Sequence, residues 1–99
     1  MFSGPKEKNF VWSMLQVDSN SIWMGCQLGY LLIYDLKSGK ERTLHPPEMM
    51  GRTIRSIVKD PEGNIWLGLQ NGMIIKWDKK LDAFFSPGKD WKIKIQKQA

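Results

Sequence analysis

The feature that most constrains the fold of this chain is an internal repeat. A shift of about 43 residues lays segment 11–35 on segment 54–78 without a gap. An Ile-Trp-apolar-Gly-x-Gln-x-Gly pattern does not recur at one spacing by chance, so the sequence predicts two copies of one structural unit. The identical pairs are Ser13/Ser56, Ile22/Ile65, Trp23/Trp66, Gly25/Gly68, Gln27/Gln70, Gly29/Gly72 and Asp35/Asp78.

Each copy has the pattern of a four-stranded antiparallel sheet. Short apolar runs alternate with polar turns, and Asn71-Gly72 is a strong hairpin signal because both residues tolerate positive φ. No segment has the sustained 3.6-residue periodicity of a helix. The predicted strands are 10–17, 22–27, 30–36 and 41–44 in the first copy, and 54–59, 65–70, 73–78 and 83–86 in the second. The predicted fold class is therefore all-β, with two four-stranded antiparallel blades of a β-propeller.

The repeat also divides the chain into segments. The predicted segments are a lead-in at 1–9, a first blade at 10–52, a second blade at 53–88 and a C-terminal strand at 89–99. Within the last segment, residues 91–96 alternate between apolar side chains and lysine or glutamine. That alternation predicts a strand that begins a further blade or closes the second one.

Six repeated residues form the structural signature of the two copies. Large apolar side chains must fill the space between neighbouring blades, and we expect Trp23 and Trp66 to do so. A glycine two residues after each tryptophan lies on the same strand face and lets another backbone approach. The glycines of the signature are Gly25 and Gly68 on these strands and Gly29 and Gly72 in the following turns.

These motifs resemble the two-component regulator propeller repeat. The closest resemblance is in the second copy, IRSIVKDPEGNIWLGLQNG at 54–72. The first copy departs from it at Val17 and Ser21, where the Asp and Asn of the pattern would stand, and the family often has Thr where this chain has Cys26 and Leu69. The resemblance implies a periplasmic sensor propeller of bacterial hybrid histidine kinases, which responds to extracellular carbohydrate.

Composition and motifs argue against most other classes of function. With one cysteine and one histidine, Cys26 and His45, the chain has too few thiol and imidazole ligands for a zinc cluster and cannot form an internal disulfide. It carries no Gly-rich phosphate loop, nucleophile elbow or His-x-x-x-His pattern, so we predict no catalytic residues, no metal and no cofactor. The net charge of +5 comes mostly from lysines near the ends, which fits a solvated surface better than nucleic-acid binding.

A binding or sensing module is the favoured function, with a purely structural or protein-interaction module as the alternative. Propeller ligands generally meet one end of the channel, where loops from several blades converge. Here those loops are the turns 27–29 and 70–72 and the connection 45–53. The predicted ligand-binding residues are the polar groups of these loops and their flanks: Gln27, Arg52, Arg55, Gln70 and Asn71. The glutamines also fit a second role, in which they satisfy backbone groups at strand ends.

Two blades do not close a propeller, which has 4–8 of them. We therefore expect the chain to be part of a longer sensor or to self-associate into a ring, because isolated blades expose apolar faces and strand edges. Segment 1–10 has no apolar core of a signal peptide, and no stretch is long enough for a membrane span. A periplasmic location is therefore expected only if the chain belongs to a sensor of the family type.

Overall fold

A computed structural model describes residues 10–86, which form two four-stranded antiparallel sheets. Each sheet is a meander in which strands that follow one another in the chain are hydrogen-bonded neighbours. The predicted all-β, two-blade fold is confirmed. The first sheet contains β1 Val11–Gln16, β2 Ser21–Cys26, β3 Leu31–Asp35 and β4 Glu41–Leu44. The second contains β5 Ile54–Lys59, β6 Ile65–Leu69, β7 Ile74–Asp78 and β8 Ala83–Phe85.

The two sheets repeat one another down to their irregularities. In the first sheet Ser13 lies opposite Gly25, and in the second Ser56 lies opposite Gly68. The register shifts just before each serine, between Val11 and Ser13 and again between Ile54 and Ser56. Such a shift is a β-bulge, which re-aims the side chain of the extra residue. The residues displaced in this way are Trp12 in β1 and Arg55 in β5.

The hydrophobic core lies between the two sheets. Trp23 of β2 is only 5% exposed and packs edge-on against Trp77 of β7, with 5.1 Å between ring centroids. The ring centroid of Phe84 on β8 lies 6.5 Å from that of Trp23. The remaining buried members of this core are Leu31, Met49, Ile54, Ile57, Ile65, Leu67, Leu69 and Ile75. Trp23 therefore fills the space between blades, as its repeated position predicts.

The two sheets approach each other most closely along β1 and β5. The Ser13 hydroxyl donates a hydrogen bond of 2.9 Å to the carbonyl of Ile54 on the facing sheet. A Cβ on Gly25 would collide with the Ser13 hydroxyl and with Ile54. Gly25 therefore lets β5 of the facing sheet approach, and the side chains of Ser13 and Ile54 lie where a Cβ would be. Farther from β1 and β5, the aromatic rings of Trp23 on β2, Trp77 on β7 and Phe84 on β8 fill the gap between the sheets. The blade interface is therefore a wedge with β1 and β5 at its narrow edge.

The equivalent Trp66 is in a different environment. It is only half-buried, because no further sheet within residues 10–86 packs on its side of the second blade. Its indole N–H donates 2.9 Å to the Asp60 carboxylate, and the ammonium of Lys76 lies 5.5 Å from its ring centroid. The residue equivalent to Asp60 in the first blade is Val17, which offers no such acceptor.

Side-chain oxygens hold the turns between β3 and β4 and between β7 and β8. Asp35 accepts from the backbone N–H of Ser38, and Asp78 accepts from that of Leu81, each at 3.1 Å. The hydrogen bond from Ser38 is the main reason that the pKa of Asp35 is lowered. This repeated aspartate therefore has the same architectural role in both blades.

An asparagine joins the two turns of each blade. The side-chain oxygen of Asn20 accepts from the backbone N–H of Lys37, and that of Asn64 accepts from Lys79, both at 2.9 Å. Asn20 lies one position before the place that the repeat assigns to this residue, which Ser21 occupies. The first turn thus keeps the hydrogen bond in spite of its departure from the family pattern.

The single thiol is part of the packing. Cys26 is fully buried beside Met24 and Leu32 on the other face of the first sheet. Desolvation by burial, with a further contribution from the charge of Glu41, raises the pKa of Cys26 to about 11. The thiolate that would react is therefore scarce at neutral pH.

The predicted lead-in at 1–9 and C-terminal strand at 89–99 lie outside the described residues.

Candidate ligand-binding end of the blades

The antiparallel strands give the pair of blades two chemically different ends. One end, which we call the arginine end, contains the turns 27–30 and 70–73, the connection 45–53, and the starts of β1 and β5. All of the ligand-binding residues predicted from the sequence lie at this end: Gln27, Arg52, Arg55, Gln70 and Asn71. The opposite end, which we call the aspartate end, contains the β1–β2, β3–β4, β5–β6 and β7–β8 turns.

The most specific arrangement at the arginine end is a stacked pair from the two bulges. The guanidinium of Arg55 lies over the ring of Trp12, 5.1 Å from its centroid. Trp12 is 53% exposed, and Arg55 is also exposed to solvent. Both residues belong to the strands at the narrow edge of the wedge. The pair therefore presents an aromatic ring and a cation together at this edge.

The remaining predicted residues have mixed roles. Arg52 is exposed, and only its backbone N–H is engaged, in a hydrogen bond of 3.0 Å to the carbonyl of Met49. The side-chain oxygen of Asn71 accepts from the backbone N–H of Met73 at 3.2 Å. Asn71 therefore stabilises its own turn, and of the Asn71-Gly72 pair only Gly72 adopts positive φ.

The two glutamines take equivalent backbone positions. The backbone N–H of Gln27 donates to the carbonyl of Phe10 at 3.3 Å, and that of Gln70 donates to the carbonyl of Thr53 at 2.9 Å. Gln27 is half-buried and Gln70 is exposed. These bonds fasten each turn to the residue just before the first strand of its blade. A role for the side chains of these two glutamines in ligand binding stays a prediction.

The connection between the blades is anchored rather than free. Its Met49 is fully buried in the core, and a Cβ on Gly29 would lie 3.1 Å from the Cβ of Met49 and 3.2 Å from the Cα of Gly51. The exposed His45 stacks on Tyr30 with 4.0 Å between ring centroids, and its Nε2 lies 2.9 Å from the carbonyl oxygen of Leu28. The turn after β2 and the connection 45–53 thus form one packed surface.

Two apolar residues of this surface have a strained backbone. Leu28 has φ of 61° and is 49% exposed, and Met50 has φ of 52° and is 63% exposed. Residues other than glycine rarely adopt this left-handed conformation, and such strain is concentrated at functional sites. Neither residue was a candidate on sequence grounds, because positive φ is not expected for leucine or methionine. They add an apolar component to the surface around Arg52 and Arg55.

Charge is distributed unevenly between the two ends. Among residues 10–86, every acidic side chain except Glu48 lies at the aspartate end, in the turns or at the strand ends beside them. Lysines accompany these acids, so the charges at that end are mixed. The arginine end carries Arg52 and Arg55, and within the described residues neither forms an ion pair with a carboxylate. The arginine end is therefore the cationic one.

The described residues offer no site for metal chemistry. Within 10–86 there is no group of three or more His, Cys, Asp or Glu side chains placed to hold one ion. In the same part of the chain, no helix has both the length and the apolar character needed to cross a membrane.

Comparison with protein families identifies the second copy of the repeat. Residues 49–71 match the model of the family described as two component regulator propeller. This segment is similar to the two-component regulator propeller repeat. The match extends from the buried Met49 through β5 and β6, and it includes Arg52, Arg55, Gln70 and Asn71. The family predicted from the sequence is confirmed, and repeats of this family generally form non-catalytic regulatory modules. A search of curated proteins finds no match to the chain.

Proposed function

We propose that this signalling-related propeller module senses an oligosaccharide through its arginine end. The observation that carries the proposal is the exposed stack of Arg55 on Trp12, formed by residues that two equivalent bulges displace. Bulges of this kind are common beside functional sites because they re-aim single side chains. An aromatic ring and a guanidinium together provide an apolar surface and several hydrogen-bond donors, which is what a sugar chain with polar edges requires.

The setting of this function follows the family. A two-component regulator propeller that senses extracellular carbohydrate works in the periplasm, and we propose that location for the arginine end. We also propose that further blades, from the same polypeptide or from other copies, complete the channel. Trp66 is half-buried and Val58 is 57% exposed on the second blade, which is the condition expected of a sheet face that another blade covers.

The test is a thermal-shift screen of the chain against an oligosaccharide library. A ligand that binds the native state raises the melting temperature by mass action. We expect the ligand-induced shift to disappear in Arg52→Ala and Arg55→Ala. An exposed cation–π contact contributes only about 0.5–1 kcal/mol, so the melting temperature of the unliganded Arg55→Ala variant should change little. A ligand that stabilises both variants as much as the unmodified chain would place the binding site elsewhere.

A further inference from the structure

The charge at the arginine end indicates which class of sugar it binds. We infer that the ligand is an acidic oligosaccharide whose carboxylate or sulfate groups bind Arg55 and Arg52. This inference rests on the proposed function and adds the chemical class of the ligand. It begins from the two exposed cations of the arginine end, Arg52 and Arg55, neither of which pairs with a carboxylate among residues 10–86.

The geometry of Arg55 favours an anion. A guanidinium stacked on an aromatic ring keeps its N–H donors at the edge of its plane, where a carboxylate or sulfate can accept two parallel hydrogen bonds. The contact with Trp12 restrains the Arg55 side chain, so less side-chain freedom is lost when the anion binds. Among residues 10–86 no carboxylate pairs with Arg55, so an incoming anion displaces no internal partner.

Arg52 provides a second cation three positions before Arg55. It is exposed, and its only hydrogen bond within the described residues is made by its backbone N–H. Glu48, the acid nearest to it in the connection, is half-buried. Two exposed cations three positions apart suit a chain of charged sugar residues better than a single anion. The exposed side chains of Leu28 and Met50 provide apolar contact for the sugar rings.

The test uses the chain and pairs of probes that differ only in charge. One pair is trigalacturonate and its methyl ester, and the other is sulfated cellotetraose and cellotetraose. Calorimetry in low salt should show the acidic member of at least one pair binding about tenfold or more tightly than its neutral partner. Added salt should weaken that binding, because exposed charges are screened.

Variants then assign the recognition to the arginine end. Arg55→Gln removes the charge but keeps a hydrogen-bonding side chain, and it should lower the affinity for the acidic probe about tenfold. The matched control is Lys80→Gln, which removes one exposed cation from the aspartate end and should leave the affinity unchanged. An equal loss in both variants would mean that the overall positive charge attracts the probe, and the inference would be wrong.

The remaining outcomes separate the inference from the proposed function. If a neutral probe binds as tightly as its acidic partner, and Arg55→Ala abolishes the binding of both, the arginine end binds sugar without recognising charge. That result overturns the inference and leaves the proposed function in place. If no probe of either pair binds, the inference is overturned, and if the oligosaccharide screen also finds no ligand, the proposed function is overturned with it.

Discussion

Alanine at the two equivalent glycines should have very different costs, because within residues 10–86 only Gly25 faces another blade. A Cβ on Gly25 would collide with Ser13 Oγ and would lie 2.5 Å from Ile54 Cγ2 and 2.7 Å from Ile54 Cβ. Relief requires Ile54 to move away and the Ser13 hydroxyl to rotate, which breaks the Ser13–Ile54 hydrogen bond. Overpacking a core costs about 1–3 kcal/mol and a lost hydrogen bond about 1 kcal/mol. We therefore expect Gly25→Ala to lower the free energy of unfolding by about 2–4 kcal/mol.

Gly68→Ala is the matched control. A Cβ there would collide only with the Ser56 hydroxyl, and Ser56 is exposed, so its side chain can rotate away. Both glycines lie in the second strand of a blade. Alanine therefore lowers the conformational entropy of the unfolded chain by the same amount at each position, and this effect cancels when the two variants are compared. We expect a cost below about 1 kcal/mol for Gly68→Ala. Urea denaturation followed by tryptophan fluorescence measures both values.

The double variant Gly25→Ala with Ser13→Ala separates the two collisions. It removes the clash with the hydroxyl but keeps the clash with Ile54, so it should remain less stable than Ser13→Ala alone. Equal costs at Gly25 and Gly68 would refute the wedge interpretation, because they would show that the approach of Ile54 places no demand on the glycine.

Two further predictions concern acid stability and association. Desolvation acts to raise the pKa of Asp60, but hydrogen bonds from Trp66 and Asn64 outweigh it and lower the pKa overall. A carboxylate with a depressed folded pKa stabilises the fold above its unfolded pKa, about 3.9, and loses that contribution as pH falls through the folded value. Asp60→Asn should therefore be less stable than the unmodified chain at pH 7 and lose less stability between pH 5 and pH 2; parallel acid-unfolding curves would contradict this. Light scattering on a sizing column should show association of the chain, and a monomer at every concentration would contradict our expectation of self-association.

Much of the fold could be predicted from sequence because the repeat duplicates every signal. The Trp-x-Gly pairs at Trp23 and Trp66 marked the second strands, and Asp35 and Asp78 marked the turns that they hold. Local chemistry determines these features, since strand alternation and turn-capping oxygens act over a few residues. The strand at 41–44 was located correctly even though its signal was weak.

The candidate site was predictable only in part. The sequence placed Arg52 and Arg55 at the same end of the blades as the turns 27–29 and 70–72, because antiparallel strands determine which turns lie together. The stack of Trp12 on Arg55 could not be predicted, since it depends on two bulges and on the distance between two sheets. The positive φ of Leu28 and Met50 could not be predicted either, because leucine and methionine rarely adopt this conformation.

The sequence by itself determined the identity of the repeating unit, since periodic patterns of apolar and turn residues specify strands without reference to the rest of the chain. Only the tertiary structure decided how equivalent residues diverge. Trp23 is buried because a second blade packs on it, whereas Trp66 is half-buried and is held by Asp60. The physical reason is that burial belongs to a pair of surfaces, and two residues with the same local sequence have the same environment only when the same neighbour packs on both.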